Sequence, residues 1–266
     1  MNIQIPFSKY HGNGNDFIIV LENQFPQTEN MAKMVQLLCS RRLGIGADGL
    51  FIISSTDIYD FALDYYNADG SWETFCANGS RCAAKFMYDS NLVNRNMTFK
   101  TGADKHQAII NKNGTVKMSM KTPKYQTSLI SPEGIDGFFI DSGARHFVCK
   151  TQRFDDKYIY NTGKMIRFSS FFQPQGVNVN FYRITDDIIE IKTYEKGVEQ
   201  IMLSCASGST AVIYHLSQSA NLASPVSSRS AGGILDFTFD KNWKNSWVEG
   251  AATSVFTGLY NVQEGV

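Results

Sequence analysis

The stretch CANGSRCAAKFMYDSNL, residues 76–92, has a second version in CASGSTAVIYHLSQSANL, residues 205–222. Both open Cys-Ala-(Asn/Ser)-Gly-Ser, pass through small residues, and run into an apolar, helix-like segment ending near Asn-Leu. A gap of 129 positions separates Cys76 from Cys205, close to half of the 266-residue chain. The flanks repeat too. FALDYYNADGSWETF (61–75) precedes the first cysteine and DIIEIKTYEKGVEQIML (187–203) the second. Further β-like runs follow each helix: MTFKTG and VKMSM in the first half, GILDFTF and WVEGAATSVFTGLYNV in the second. Short apolar runs punctuated by Gly, Asn and Asp read as strands joined by tight turns. Helices are expected at about 30–42 and after each cysteine.

Self-similarity at half the chain length implies a duplicated architecture. The expected fold is α/β with few helices: two pseudo-symmetric halves, each a curved, mostly antiparallel sheet or barrel around a central helix. The boundary is expected at Lys121-Thr122-Pro123. One half then takes 1–122 with a closing strand at about 258–266 and carries Cys76; the other takes 123–257 and carries Cys205. Two domains also suit this chain length.

Lys plus Arg and Asp plus Glu number 25 each, so the formal charge is zero. A neutral balance supplies no long-range pull on nucleic acid or an anionic membrane, which points to a small-molecule ligand. No apolar run approaches the ~18 residues of a membrane span, and the first residues lack the pattern of a secretory signal. The five cysteines (Cys39, Cys76, Cys82, Cys149, Cys205) fit reduced thiols in a cytoplasm better than a disulfide framework. With no CxxC pair and scattered histidines, no metal site is expected.

A cysteine just ahead of a helix is chemically placed. The first helical turn has backbone N–H groups without intrahelical partners, and the helix dipole adds partial positive charge. A carboxylate can dock there, and a thiol there is more easily ionised. Two such cups acting on one ligand put a sulfur on each side of an α-carbon. One sulfur takes the proton and the other returns one to the opposite face, which inverts the stereocentre with no cofactor. The bland reading stands beside this one: a lone cysteine is usually a buried small hydrophobe, as expected for Cys39, Cys82 and Cys149. Gly-Ser can be simple capping, and HGNGND (11–16) can be only a turn.

Eight motifs together extend the case: HGNGNDF (11–17), GIGADGL (44–50), YNADGSWETFCANGSRC (66–82), SGARHFV (142–148), GVNVNF (176–181), YEKGV (194–198), LSCASGS (203–209) and AGGIL (231–235). In this order and spacing the sequence resembles the diaminopimelate epimerases over nearly its whole length. The resemblance implies an active site in the cleft between two halves, with Cys76 and Cys205 as the acid/base pair. It implies substrate hydrogen bonds from Asn15, Asn67 and Asn178, and a carboxylate cradle from the backbone amides of Ala77, Asn78, Ala206 and Ser207. It places Glu195 and Lys196 at the distal, non-reacting amino-acid end and His146 in support of catalysis. It also implies a possible homodimer.

The chain departs from the family pattern at five places. Ala77 and Ala206 stand for glycines, Lys196 for an arginine, Ala144-Arg145 for Asn-Pro, Ile201 for an acidic residue, and Ala231 for a proline. Alanine keeps the backbone N–H provided its φ is negative, whereas lysine cannot make arginine's bidentate fork. The expected reaction is LL- to meso-diaminopimelate. A racemase of another amino acid, a catalytically dead amino-acid-binding protein and a thiol–disulfide oxidoreductase are the competing readings.

Overall fold

The computed structural model describes residues 3–262. The chain divides into two compact units, one running to Met118 and resuming at Gly250, the other spanning Ser119–Glu249.

The first unit holds β1 (Ile3–Gly12), β2 (Asn15–Leu21), α1 (Met31–Cys39), β3 (Gly49–Ser54), β4 (Phe61–Asn67), β5 (Trp72–Glu73), α2 (Ala77–Asp89), β6 (Asn96–Thr101), β7 (Asp104–Ile110) and β8 (Val116–Ser119). The second holds β9 (Lys124–Tyr125), β10 (Phe138–Asp141), β11 (Arg145–Lys150), α3 (Asp156–Arg167), β12 (Asn178–Thr185), β13 (Ile188–Glu195), β14 (Gln200–Met202), α4 (Ala206–Ser219), β15 (Val226–Ser230), β16 (Gly233–Phe239) and β17 (Ser246–Gly250). The last strand described, β18 (Thr253–Val262), returns to the first unit. Positions 263–266 of the strand expected at 258–266 lie outside the described residues.

The strands of the first unit lie in the order β18, β1, β2, β3, β4, β6, β7, β8, with β5 added to β4. All pairs are antiparallel except β2–β3 and β4–β6. The second unit repeats this step for step: β9, β10, β11, β12, β13, β15, β16, β17, with β14 added to β13 and parallel pairs β11–β12 and β13–β15. Among the described residues the end strands of neither unit pair with each other, so each sheet is open and the barrel alternative is corrected.

A parallel pair needs a long crossover, usually a helix. Each unit has two such pairs, and its two helices are those crossovers. Three helices are where the sequence places them. The fourth, α3, occupies the place in its unit that α1 occupies in the first. Gly163 sits inside it because a Cβ there would stand 2.6 Å from Tyr194 Cβ. That glycine weakens the helical signal while allowing close packing.

The cores follow from the same repeat. Met34, Val35 and Leu38 of α1 pack on Ile18, Val20, Leu50 and Ile52. Ile159 and Ile166 of α3 pack on Phe147, Val179, Phe181 and Tyr194. Burying such a side chain contributes roughly 1.5–3 kcal/mol. No helix among the described residues is long and apolar enough to cross a membrane.

Candidate active site

Cys76 and Cys205 are the N-cap residues of α2 and α4. Their backbone angles nearly coincide, φ −136° and ψ 111° against φ −135° and ψ 103°. Four residues on, Ser80 N–H donates to Cys76 O at 2.8 Å and Ser209 N–H to Cys205 O at 2.9 Å. Both thiols are half-buried, whereas Cys39, Cys82 and Cys149 are buried. Burial pushes the Cys39 thiol up to about 12, and raises Cys82 and Cys149 further still. Only the two N-cap cysteines among the five are therefore open to solvent.

The third residue of each helix is a glycine pressed onto the sheet. A Cβ on Gly79 would meet Phe51 Cε2 at 2.0 Å, and one on Gly208 would meet Asn180 Oδ1 at 2.0 Å. Phe51 and Asn180 are third in β3 and β12, so the repeat holds here with different chemistry.

Beneath Cys76 the bed is aromatic. Phe51 stacks on Tyr65 with centroids 4.7 Å apart and meets Phe17 edge-on at 5.4 Å. The cationic neighbour is Arg81, fully buried in α2, which donates to Ala77 O (3.3 Å), Asn13 Oδ1 (2.9 Å) and Asn78 Oδ1 (3.0 Å). Burial lowers its pKa to about 10, while Cys82 and Cys76 act in the opposite direction.

Asn13 (φ 53°) and Gly14 (φ 87°) form the two-residue turn joining β1 to β2. Two consecutive positive φ values suit the twist of a tight hairpin. HGNGND is thus a turn, and it delivers Asn15 beside α2. Asn15 accepts from Asn78 Nδ2 at 3.3 Å and donates to Asp48 Oδ2 at 2.6 Å. Asp48 and Asp16 share Arg41, with 2.6 and 2.7 Å contacts, and Asp16 also pairs with buried Lys9 at 2.7 Å. Burial pushes the Asp16 carboxyl up, but hydrogen bonds from Arg41 and Lys9 outweigh it and hold it down at about 2. Asp48, buried beside that second carboxylate, is raised instead. Asn67 closes β4, where its Oδ1 accepts from Tyr65 Oη at 2.6 Å and its Nδ2 donates to Ser71 Oγ at 3.0 Å.

Beneath Cys205 the bed is polar. His146 is fully buried, with Nδ1 3.0 Å from Asn180 Nδ2 and Nε2 3.0 Å from Ser207 Oγ. An amide NH₂ can only donate, so the bond network assigns the proton to Nε2, which donates to Ser207. Burial drives the His146 pKa down to about 3, so the ring is neutral near pH 7. Ser207 Oγ lies 3.6 Å from Cys205 Sγ, and the sulfur accepts from Gly208 N–H at 3.4 Å. His146 thus reaches the thiol through Ser207. Asn180 also accepts from Thr193 Oγ1 at 2.9 Å. It lies inside the quoted GVNVNF, on the same strand face as Asn178 but deeper, fully buried under α4.

Asn178 opens β12. Its Oδ1 accepts from Lys196 N–H at 2.9 Å and its Nδ2 donates to Arg145 O at 3.2 Å. Glu195 ends β13 and Lys196 begins the following turn. Gly232 N–H donates to Leu203 O at 2.7 Å, tying the β15–β16 turn to the segment ahead of Cys205.

The family model for diaminopimelate epimerase matches residues 7–126. The diaminopimelate epimerase of Aquifex aeolicus is 33% identical over 268 residues, covering 95% of this chain and 96% of that protein. That of Flavobacterium psychrophilum is 34% identical over 258 residues, covering 93% and 97%. The chain belongs to the diaminopimelate epimerase family. It is an isomerase. Solved structures with the same fold include a hydroxyproline epimerase from Agrobacterium vitis, with TM-score 0.77 and 14% identity over 99% of this chain and 94% of that one. A probable proline racemase from Agrobacterium radiobacter gives TM-score 0.72 and 15% identity over 98% and 93%.

The departures from the family pattern have definite places. Ala77 and Ala206 open helices and neither has a positive φ. Their N–H groups therefore belong to ordinary helical first turns. Ile201 lies in β14 against the second core. Arg145 donates from Nε to Gly176 O at 3.1 Å and lies over the Phe139 ring at 4.8 Å.

Proposed function

We propose that this family member inverts the α-carbon of diaminopimelate, interconverting the LL and meso forms, with Cys76 and Cys205 as an acid/base pair. One observation carries the reading: the two half-buried cysteines cap two helices in the same backbone geometry, one in each unit. The Sγ of one cysteine, as thiolate, takes the α-proton and becomes a thiol. The thiol of the other gives its proton to the opposite face and becomes the thiolate. The balance is an inverted carbon and an exchanged pair of protonation states, with no other reactant.

The charge that develops when the proton leaves spreads into the adjacent carboxylate. First-turn N–H groups of Ala77, Asn78, Ala206 and Ser207, with two helix dipoles behind them, stabilise it there. Neutral His146 holds Ser207 and acts as a positioning residue. Asn15, Asn67 and Asn178 offer the substrate the N–H and carbonyl capacity their internal bonds leave over. Glu195 and Lys196 take the ammonium and carboxylate of the distal end.

A second reading rests on Lys196 and Ala144-Arg145: the same chemistry on a different amino acid. The deciding experiment is α-proton exchange in D₂O under reducing conditions, with diaminopimelate and a panel of L-amino acids, on the wild type and on Cys76→Ala and Cys205→Ala. Exchange with diaminopimelate that both substitutions abolish is the expected result. Exchange with another amino acid alone makes the second reading correct, and silence throughout sinks both.

A further inference from the structure

The turn that carries Glu195 and Lys196 is built on a charged pair that the reaction scheme above leaves unused. Glu199 sits in that turn at φ 56°. A non-glycine residue held there costs on the order of 1 kcal/mol or more, so its side chain needs a reason to be there. The carboxylate points back into the unit. Its Oε1 accepts from Gly197 N–H at 3.0 Å and pairs with Arg167 Nη2 at 3.2 Å. The Glu199 N–H donates to Glu195 O at 2.8 Å, closing the turn from the backbone side.

Arg167 is the last residue of α3, and its side chain is only 13% exposed. It reaches the turn by passing over Gly176, where a Cβ would stand 2.0 Å from Nη1. Gly176 (φ 68°) therefore leaves room for the guanidinium. The carbonyl of that glycine takes Arg145 Nε, Arg145 O takes Asn178 Nδ2, and Asn178 Oδ1 takes Lys196 N–H. Hydrogen bonds and the ion pair, with the close packing of Arg167 on Gly176 as one link, make a ring: Arg145, Gly176, Arg167, Glu199, the 195–199 turn, Asn178, and back to Arg145.

Stability alone is a poor reason for the pair. Arg167 Nε and Glu199 Oε2 are buried without a well-formed hydrogen bond among the described residues, the buried Tyr194 hydroxyl being the neighbour on the Glu199 side. A charged pair left partly unsatisfied gains little over an apolar one of the same size. What the pair does supply is a fixed geometry: with Asn178 on one side and Glu199 beneath, the Glu195–Lys196 backbone is held from two directions.

We propose that Arg167 and Glu199 are positioning residues that preset the Glu195–Lys196 turn for the non-reacting end of the amino acid, and so help decide which amino acid is accepted. This rests on the assignment of Glu195 and Lys196 to that end. Lys196 lacks the rigid fork of an arginine, so the orientation it does not supply itself comes from the scaffold beneath it.

The test is steady-state α-proton exchange by the full chain, comparing wild type with Glu199→Gly, Arg167→Met and Arg167→Lys. Glycine suits the positive φ, so Glu199→Gly removes the carboxylate without a backbone penalty; it does leave the Arg167 guanidinium without its partner, so all variants are assayed below their own melting temperatures, where each is folded. The expected result is a rise in KM of about tenfold for Glu199→Gly and Arg167→Met, with kcat falling by no more than about threefold and Arg167→Lys lying between. An unchanged KM, or a loss in kcat with KM constant, overturns the proposal. A wild type that exchanges a different amino acid overturns the substrate assignment instead, and the same KM comparison with that amino acid then decides this inference. A wild type that exchanges none overturns both.

Discussion

His146 offers a test in which stability reports directly on the polar bed under α4. The ring is fully buried, and its pKa falls from an ordinary 6.5 to about 3 because burial penalises the imidazolium. In the unfolded chain the same ring takes up a proton as pH falls through 6.5. The unfolded state therefore binds more protons across this window, and stability must rise with pH. The contribution is fully present above pH 6.5 and is lost progressively down toward pH 3. Each pH unit in the window costs about 1.4 kcal/mol, so moving from pH 7 to pH 5 removes about 2 kcal/mol through this residue. The perturbation is His146→Gln, which keeps a donor for Ser207 and an acceptor for Asn180 but has nothing to titrate. Urea unfolding of both proteins at pH 7, 6 and 5 gives the difference in stability at each pH. Wild type should lose about 2 kcal/mol relative to the variant over that range. A difference that stays constant with pH would refute the neutral, buried ring and the Nε2–H to Ser207 assignment that depends on it.

Iodoacetamide on the reduced, folded protein at pH 8 should label Cys76 and Cys205 and leave Cys39, Cys82 and Cys149 unmodified, because burial raises those three thiols; peptide mass mapping reads the outcome, and early labelling of Cys149 would contradict it. Gly208→Ala drives a methyl against Asn180 Oδ1 and should cost about 1–3 kcal/mol by thermal or urea unfolding, despite alanine's better helix propensity; an unchanged stability would mean the Asn180 amide can move. Asp16→Asn strands Lys9, a cation only 7% exposed at its side chain, and should cost about 3 kcal/mol at pH 7. That loss should shrink in wild-type comparisons as pH falls from 3.8 toward 2, where the Asp16 carboxyl itself becomes protonated.

The sequence was informative where local chemistry and duplication agree. Cys-Ala-x-Gly-Ser followed by an apolar run marks the starts of α2 and α4, and Asn13-Gly14 marks a tight hairpin turn. The helix α3 was not legible from its own residues: Asn161, Thr162 and Gly163 are weak helix formers, and they occur together because the helix packs closely on Tyr194. The repeat would have exposed it, since a second copy of β2–α1–β3 requires a helix between β11 and β12. Asn180 was hidden for another reason. Asn178 and Asn180 share one face of β12 and look alike in sequence, and only the packing of α4 over the strand buries Asn180 fully while Asn178 stays half-buried at its start. Arg81 sits inside the most informative motif, but nothing local predicts a fully buried arginine among amide oxygens. Its partner Asn13 is 68 positions away. The Arg167–Glu199 pair is likewise a tertiary fact, and only the positive φ of Glu199 marks that position as unusual.

The return of β18 to pair with β1 bears on how the molecule is made. Nine positions, from Ile3↔Val262 to His11↔Thr253, hold that pair together. The unit begun by β1 therefore lacks this edge strand until residues 253–262, which follow the whole of the other unit, have been synthesised. Ser119–Glu249 is contiguous and has no such wait. During synthesis the half begun first is the half completed last, and until then β1 presents an unpaired edge of hydrogen-bonding groups to its surroundings.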